Sequence, residues 1–134
     1  MADFFPTGFE SQHELRTKTG DGLDLVVSSG IALFSMKGAP GGGWNHQNLI
    51  LRVGPQWGSV RGTVPVVSLA SIYNVATADN AGWAVDKVDV TYYSVSPPPP
   101  PGVQAELRCA VAVSDSDGIL YRVNYHVTTI GGLI

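Results

Sequence analysis

The chain has 134 residues, 44% of them apolar and only 14% charged, with a net charge of −3. That length fits one domain and excludes two ordinary ones, and so apolar a composition excludes an intrinsically disordered chain. No run of Lys or Arg occurs, which removes phosphate neutralisation and with it nucleic acid as an expected partner.

Residues 1–22 are polar and turn-rich apart from Phe4, Phe5 and Phe9, and read as an N-terminal arm ahead of a β-domain over residues 23–134. The opening Met1-Ala2-Asp3-Phe4-Phe5-Pro6 has no basic segment leading into an apolar core, so no secretory leader is expected here. Synthesis in the cytoplasm or residence in a particle is the corresponding expectation. Leu23 to Val27 and Ile31 to Met36 read as two short strands around Ser28-Ser29-Gly30. Gly38-Ala39-Pro40-Gly41-Gly42-Gly43 then breaks regular structure, because Gly opens positive φ and Pro lacks a donor. Asn48 to Val53 is a strand closed by Gly54-Pro55, and Ser59 to Val67 is another, in which Pro65 predicts an edge or a bulge.

Ser68 to Ala76 fits two periods. Leu69, Ile72, Tyr73 and Ala76 would share a helical face capped by Ser68, whereas Val67, Leu69, Tyr73 and Val75 approximate an alternation. Strand is preferred, since every neighbour is a strand and Ile, Val and Tyr suit sheets. Asp79-Asn80-Ala81-Gly82 is a turn, and Trp83 to Val95 is a long strand with Val88, Val90 and Tyr92 on one face and Asp89, Thr91 and Tyr93 on the other. Pro97 to Pro101 predicts a stiff polyproline II connection at the surface.

The last third alternates most clearly. Leu107, Cys109, Val111 and Val113 form one apolar set, and Ile119, Tyr121, Val123, Tyr125 and Val127 form another. A three-residue loop of Ser116, Asp117 and Gly118 would join them into a hairpin, with Val113 opposite Tyr121, Cys109 opposite Tyr125 and Arg108 opposite His126. Cys109 and Val123 are expected in the core and His126 on the less buried face. The fold class that results is an all-β, single-domain antiparallel sandwich, jelly-roll-like, or a small barrel of about seven or eight strands.

Catalytic and metal-binding patterns are absent. His13, His46 and His126 lie in different segments, with no His-Glu-x-x-His and no Gly-x-Ser-x-Gly, so no catalytic residue, metal or cofactor is expected. Asp115-Ser116-Asp117-Gly118 lacks the flanking oxygen ligands of a calcium loop, with Val113 and Asn124 at the required offsets. Cys109 is the sole cysteine and sits in the apolar register, as a small core side chain does.

Trp44, Asn45, His46 and Asn48, followed by Trp57 and Arg61, are the densest group of recognition-type side chains. An indole stacks on the apolar face of a sugar while Asn, His and Arg bond its hydroxyls. The order His46-Gln47-Asn48 then Trp57-Gly58 resembles the sugar site of galectins, which implies a glycan ligand. The arginine spacing departs from that pattern, and Val60 stands near the place of its glutamate. The plainer reading is that the two tryptophans cover the ends of a sandwich.

Three functions follow as expectations. So few charges predict apolar surface that meets another subunit, which favours a non-enzymatic homo-oligomeric subunit of virion, sheath or particle type. Phe4, Phe5, Phe9, Leu133 and Ile134 are its candidate contacts. The alternative is a lectin-like carbohydrate-binding module using the Trp44–Asn48 and Trp57–Arg61 segments. A third is a small β-barrel enzyme with an apolar pocket, in which Arg108 and His126 could serve. The longest apolar stretches fall short of the ~20 residues that span a bilayer, so no membrane insertion is expected.

Overall fold

A computed structural model describes residues 3–37, 43–74, 82–95, 102–114 and 118–134. Among them every regular element is a strand: β1 (Asp3–Phe4), β2 (Gly8–Lys18), β3 (Asp24–Lys37), β4 (Trp44–Asn74), β5 (Gly82–Val95), β6 (Gly102–Ser114) and β7 (Gly118–Leu133). They form one open sheet in the order β2-β3-β7-β4-β6-β5. All those pairings are antiparallel, and β1 adds a short parallel contact to β4. The sheet does not close into a barrel.

β4 makes the architecture. Residues 44–53 pair with β6, and residues 57–74 pair with β7. Trp44 is matched to Ser114 and Asn74 to Gly118. Those two partners are four residues apart in the chain, a span of about 14 Å at most. The two ends of β4 therefore lie near one another, so the strand doubles over and lays its second limb across its first. One layer is β2, β3, β7 and the second limb of β4; the other is β5, β6 and the first limb, with β1 beside it. Between them lies a single core built from Phe34 and Met36 on β3, Leu49, Leu51 and Val53 on β4, Leu107, Cys109, Val111 and Val113 on β6, and Val123, Tyr125 and Val127 on β7.

The corner is written in Gly54-Pro55-Gln56-Trp57. Gly54 has φ 83°, a conformation open to glycine, and its carbonyl accepts a bond from Gln104 Nε2 at 2.9 Å. Trp57 is 1% exposed and matches Val103 on β6 as well as Leu133 on β7, so it stands where the chain passes between layers. Gly54-Pro55 thus turns a continuous strand rather than ending one.

Three further expectations change. Ser28-Ser29-Gly30 does not divide two strands but lies inside β3, with Ser28 buried. A Cβ at Gly30 would stand 2.2 Å from the Ser11 carbonyl oxygen and 2.7 Å from the Tyr125 hydroxyl, so glycine there admits close neighbours within the strand. Residues 8–18 of the expected arm are laid onto the sheet as its edge strand β2. The β6–β7 hairpin does not form, because β4 takes a place between these strands in the sheet. Their apolar faces still meet, but across the core rather than side by side. Period-two alternation fixes which face a residue occupies and is silent on which strand lies beside it. The facial assignments hold: Cys109, Val123 and Val127 are buried and His126 is exposed.

Residues 68–74 continue β4, as the strand reading has it. Pro65 lies on the second limb, which pairs with β7 on one side. Val88 and Val90 of β5 pack on the core while Asp89 and Thr91 face outward. The loops expected at 38–42, 79–81, 97–101 and 115–117 lie outside the described residues, as do Val75 and Ala76.

Candidate functional site on two outer faces

The layer of β1, β5, β6 and the first limb of β4 turns a charged face outward. Register sets Arg52, Glu106 and Thr91 in one row, Ile50, Arg108 and Asp89 in the next, and Asn48, Ala110 and Lys87 in a third. Arg52 Nε donates to Glu106 Oε2 at 2.9 Å, and its guanidinium stacks 3.8 Å from the Tyr93 ring centroid and 5.2 Å from that of Phe5. Glu106 is buried, and it also accepts from Thr91 and lies 3.5 Å from Arg108 Nε. Arg108 reaches Asp3 at 3.6 Å, Asn48 Nδ2 donates to Asp3 Oδ1 at 3.3 Å, and Lys87 meets Asp89 at 3.2 Å. Asn48, Lys87, Asp89, Arg108 and Ala110 surround an open concavity of about 310 Å³. Trp44 is half exposed at 49%, and His46 Nδ1 lies 3.5 Å from Asp86.

Sugar-site residues therefore divide. Trp44, His46 and Asn48 alternate onto this outer face. Asn45 turns to the other side of the strand, where its Oδ1 accepts from Gln47 at 2.8 Å. Trp57 is buried at the corner, and Arg61 lies beyond it on the second limb, paired with Asp21 at 2.9 Å. The galectin-type order needs Trp57 exposed on a neighbouring strand, and here it belongs to the core. Arg108 and His126, expected opposite one another, stand on different layers, matched to Ile50 and Asp89 in one case and to Ser29 and Val66 in the other.

The layer of β2, β3, β7 and the second limb of β4 turns out a different surface. Leu15, Val27, Thr128 and Val64 form one row across its four strands, and His13, Ser29, His126 and Val66 form the next. Leu15 is 67% exposed, Val64 66% and Val66 59%. Sequence reasoning passed over these three; the signal was a lone leucine in an otherwise polar strand and valines on both faces of 64–67.

Of the expected contacts, Phe4 and Phe9 pack on the chain's own core, and the Phe9 ring meets Tyr125 edge-to-face at 6.2 Å. Leu133 is matched to Trp57, and its N–H donates to Asp24 Oδ2 at 3.0 Å. Phe5 and Ile134 are exposed. Comparison with protein-family models, with curated proteins and with solved structures found no match.

At the margin of β2, Gln12, Glu14, Ser28, Gly54 and Tyr125 line an open cleft of about 220 Å³. Desolvation pushes the Tyr125 hydroxyl up, partly offset by its bond with Gln12. Asp24 is held below the usual carboxylate range by Lys18 at 2.6 Å and by the Leu133 N–H. Glu10 is lowered by its hydrogen bonds from Arg122, and Asp21 by those from Thr19 and Arg61. Burial pushes the Cys109 thiol up to about 12, which leaves it without thiolate character near neutral pH. Among the described residues no three His, Cys, Asp or Glu side chains are grouped to hold a metal ion.

Proposed function

We propose that this protein is a non-enzymatic, homo-oligomeric β-sandwich subunit that acts by assembly, of the kind that builds virions, sheaths or similar particles. The observation that carries this reading is the row Leu15, Val27, Thr128 and Val64, whose end members are two-thirds exposed on the outer sheet face. Burying a Leu or Val side chain contributes roughly 1.5–3 kcal/mol. Several must be covered together to offset the 4 kcal/mol or more that association costs, by an approximate estimate, so the row is worth more as one patch than as scattered residues. Val64→Asp with Val66→Asp tests it: sedimentation should report an oligomer for the native chain and a smaller species for the variant. A native chain that stays monomeric at high concentration contradicts the reading.

A second reading, glycan binding, is favoured by a specific feature of the charged face. Asn48, Lys87, Asp89 and Arg108 surround a concavity, and a half-exposed Trp44 lies further along the same strand. Without Trp57 the site narrows to Trp44, His46 and Asn48 with the β5 and β6 side chains. A glycan array that stays blank for the native chain removes this reading.

A further inference from the structure

The apolar row runs to the outermost strand, β2, and the pairing of that strand specifies what can continue it. β2 pairs with β3 on one side and with no strand on the other among the described residues. The Thr19 N–H donates to the Leu23 carbonyl at 2.8 Å, in the same register that matches Thr17 with Leu25 and Leu15 with Val27. Antiparallel ladders alternate between hydrogen-bonded and non-hydrogen-bonded pairs. Thr17, Leu15 and His13 therefore turn their backbone groups toward β3. Gln12, Glu14, Arg16 and Lys18 turn theirs to the open edge.

We propose that the occupant of this edge is a second copy of the chain, docked antiparallel along β2 so that Leu15 stands opposite Leu15 of the other copy. This rests on the assembly reading and adds an edge contact to the covering of the face. A two-fold axis makes an edge pair with itself, and free backbone groups at even positions restrict the symmetric registers. Centring on Glu14 sets two carboxylates opposite one another, and centring on Arg16 sets two guanidinium groups so; like charges directly opposite are unfavourable. Centring on His13 leaves Leu15 against Ser11, so the apolar row ends at the edge instead of continuing into the copy. Within one chain Arg16 already donates to Glu14 and Lys18 to Asp24; centring on Leu15 sets Glu14 against Arg16 twice, joining two such pairs into one cluster of four alternating charges, and sets Gln12 against Lys18 twice. Opposite charges then meet on the inner side of the edge, while on the outer side the row Val64, Thr128, Val27 and Leu15 runs unbroken into its copy. Edge strands avoid unwanted pairing by carrying charge. Here the acidic residues Glu10 and Glu14 precede the basic residues Arg16 and Lys18 along the strand, so a reversed copy sets Glu14 against Arg16 rather than against its like.

Leu15 opposite Leu15 is a non-hydrogen-bonded pair, with Cα atoms about 4.5 Å apart, within disulfide reach. The test is oxidation of full-length Leu15→Cys and of His13→Cys, read on a non-reducing gel beside sedimentation of the native chain. Leu15→Cys should trap a covalent dimer several-fold more completely than His13→Cys, with buried Cys109 silent in both. Glu14→Arg should weaken the native dimer at least tenfold, and Glu14→Arg combined with Arg16→Glu should restore it. Equal trapping by both cysteines, or a double variant as weak as the single one, overturns the register. If the native chain sediments as an oligomer and Leu15→Cys is not trapped, the contact is wrong and the assembly reading stands. If the native chain is monomeric, the assembly reading falls and the contact with it.

Discussion

The two outer faces of one sheet differ in what they present to solvent. On the β5–β6 side, charges are consumed locally: Arg52 on Glu106 and between two aromatic rings, Arg108 on Asp3 and Glu106, Lys87 on Asp89. On the β2–β3–β7 side, apolar side chains are left without cover, with Leu15 and Val64 at either end of one row. The first surface satisfies most of its charges within the chain, and the second exposes a row of aliphatic side chains. What separates them is the corner at residues 54–57, which puts one half of β4 on each side.

The largest effect should come from removing that corner. Trp57→Ala should cost about 3–5 kcal/mol of stability in chemical unfolding, because a fully buried indole leaves a cavity where the layers join. A loss below ~1 kcal/mol would mean that the bend does not depend on Trp57.

Next comes the contrast between the faces themselves. Arg52→Met should cost roughly 1.5–3 kcal/mol, since it strips buried Glu106 of its strongest partner. Val64→Thr with Val66→Thr should alter single-chain stability by only ~0.5 kcal/mol while reducing self-association. Unfolding titrations at a concentration where the chain is monomeric separate the two effects, and equal losses would erase the distinction.

A smaller effect is expected in acid. Asp24 joins the end of β2 to the start of β3 and the end of β7, and its pKa is depressed by Lys18 and the Leu133 N–H. A carboxyl with a depressed folded-state pKa contributes stability above its unfolded value, near 4, that is lost as pH falls through the folded value. Glu10 and Asp21 act with the same sign. Asp24→Asn should therefore lower the melting temperature at neutral pH and, by bringing it toward the acid value, flatten its decline below about pH 4. An unchanged acid limb would show that the ion pair with Lys18 contributes nothing.

Much of this was readable in the sequence, and the division has a physical cause. Alternation in 107–113 and 123–127 gave the all-β class and the buried set correctly, because facing depends on local geometry alone. The hairpin was misread because partner choice is non-local: β4, 44 to 76 residues upstream by the register, takes the place beside both strands. Gly54-Pro55 was visible as a break, but a break and a corner share the same residues, and only the matching of Trp57 to both β6 and β7 distinguishes them. For the candidate sites the same limit applied. Trp57 and Trp44 are chemically equal in sequence, and burial alone separates them. Leu15 gave little signal because an isolated apolar residue on a strand is ordinary; its meaning comes from Val27 and Val64, one and three strands across the layer, in the row that β2 ends.

Sedimentation of three chains at equal concentration tests the central claim most directly: native, Val64→Asp with Val66→Asp, and His46→Ala with Arg108→Ala. The native chain and the charged-face variant should form the same oligomer, and the valine variant a smaller one. An oligomer that survives in the valine variant and dissociates in the charged-face variant would show that assembly uses the opposite face.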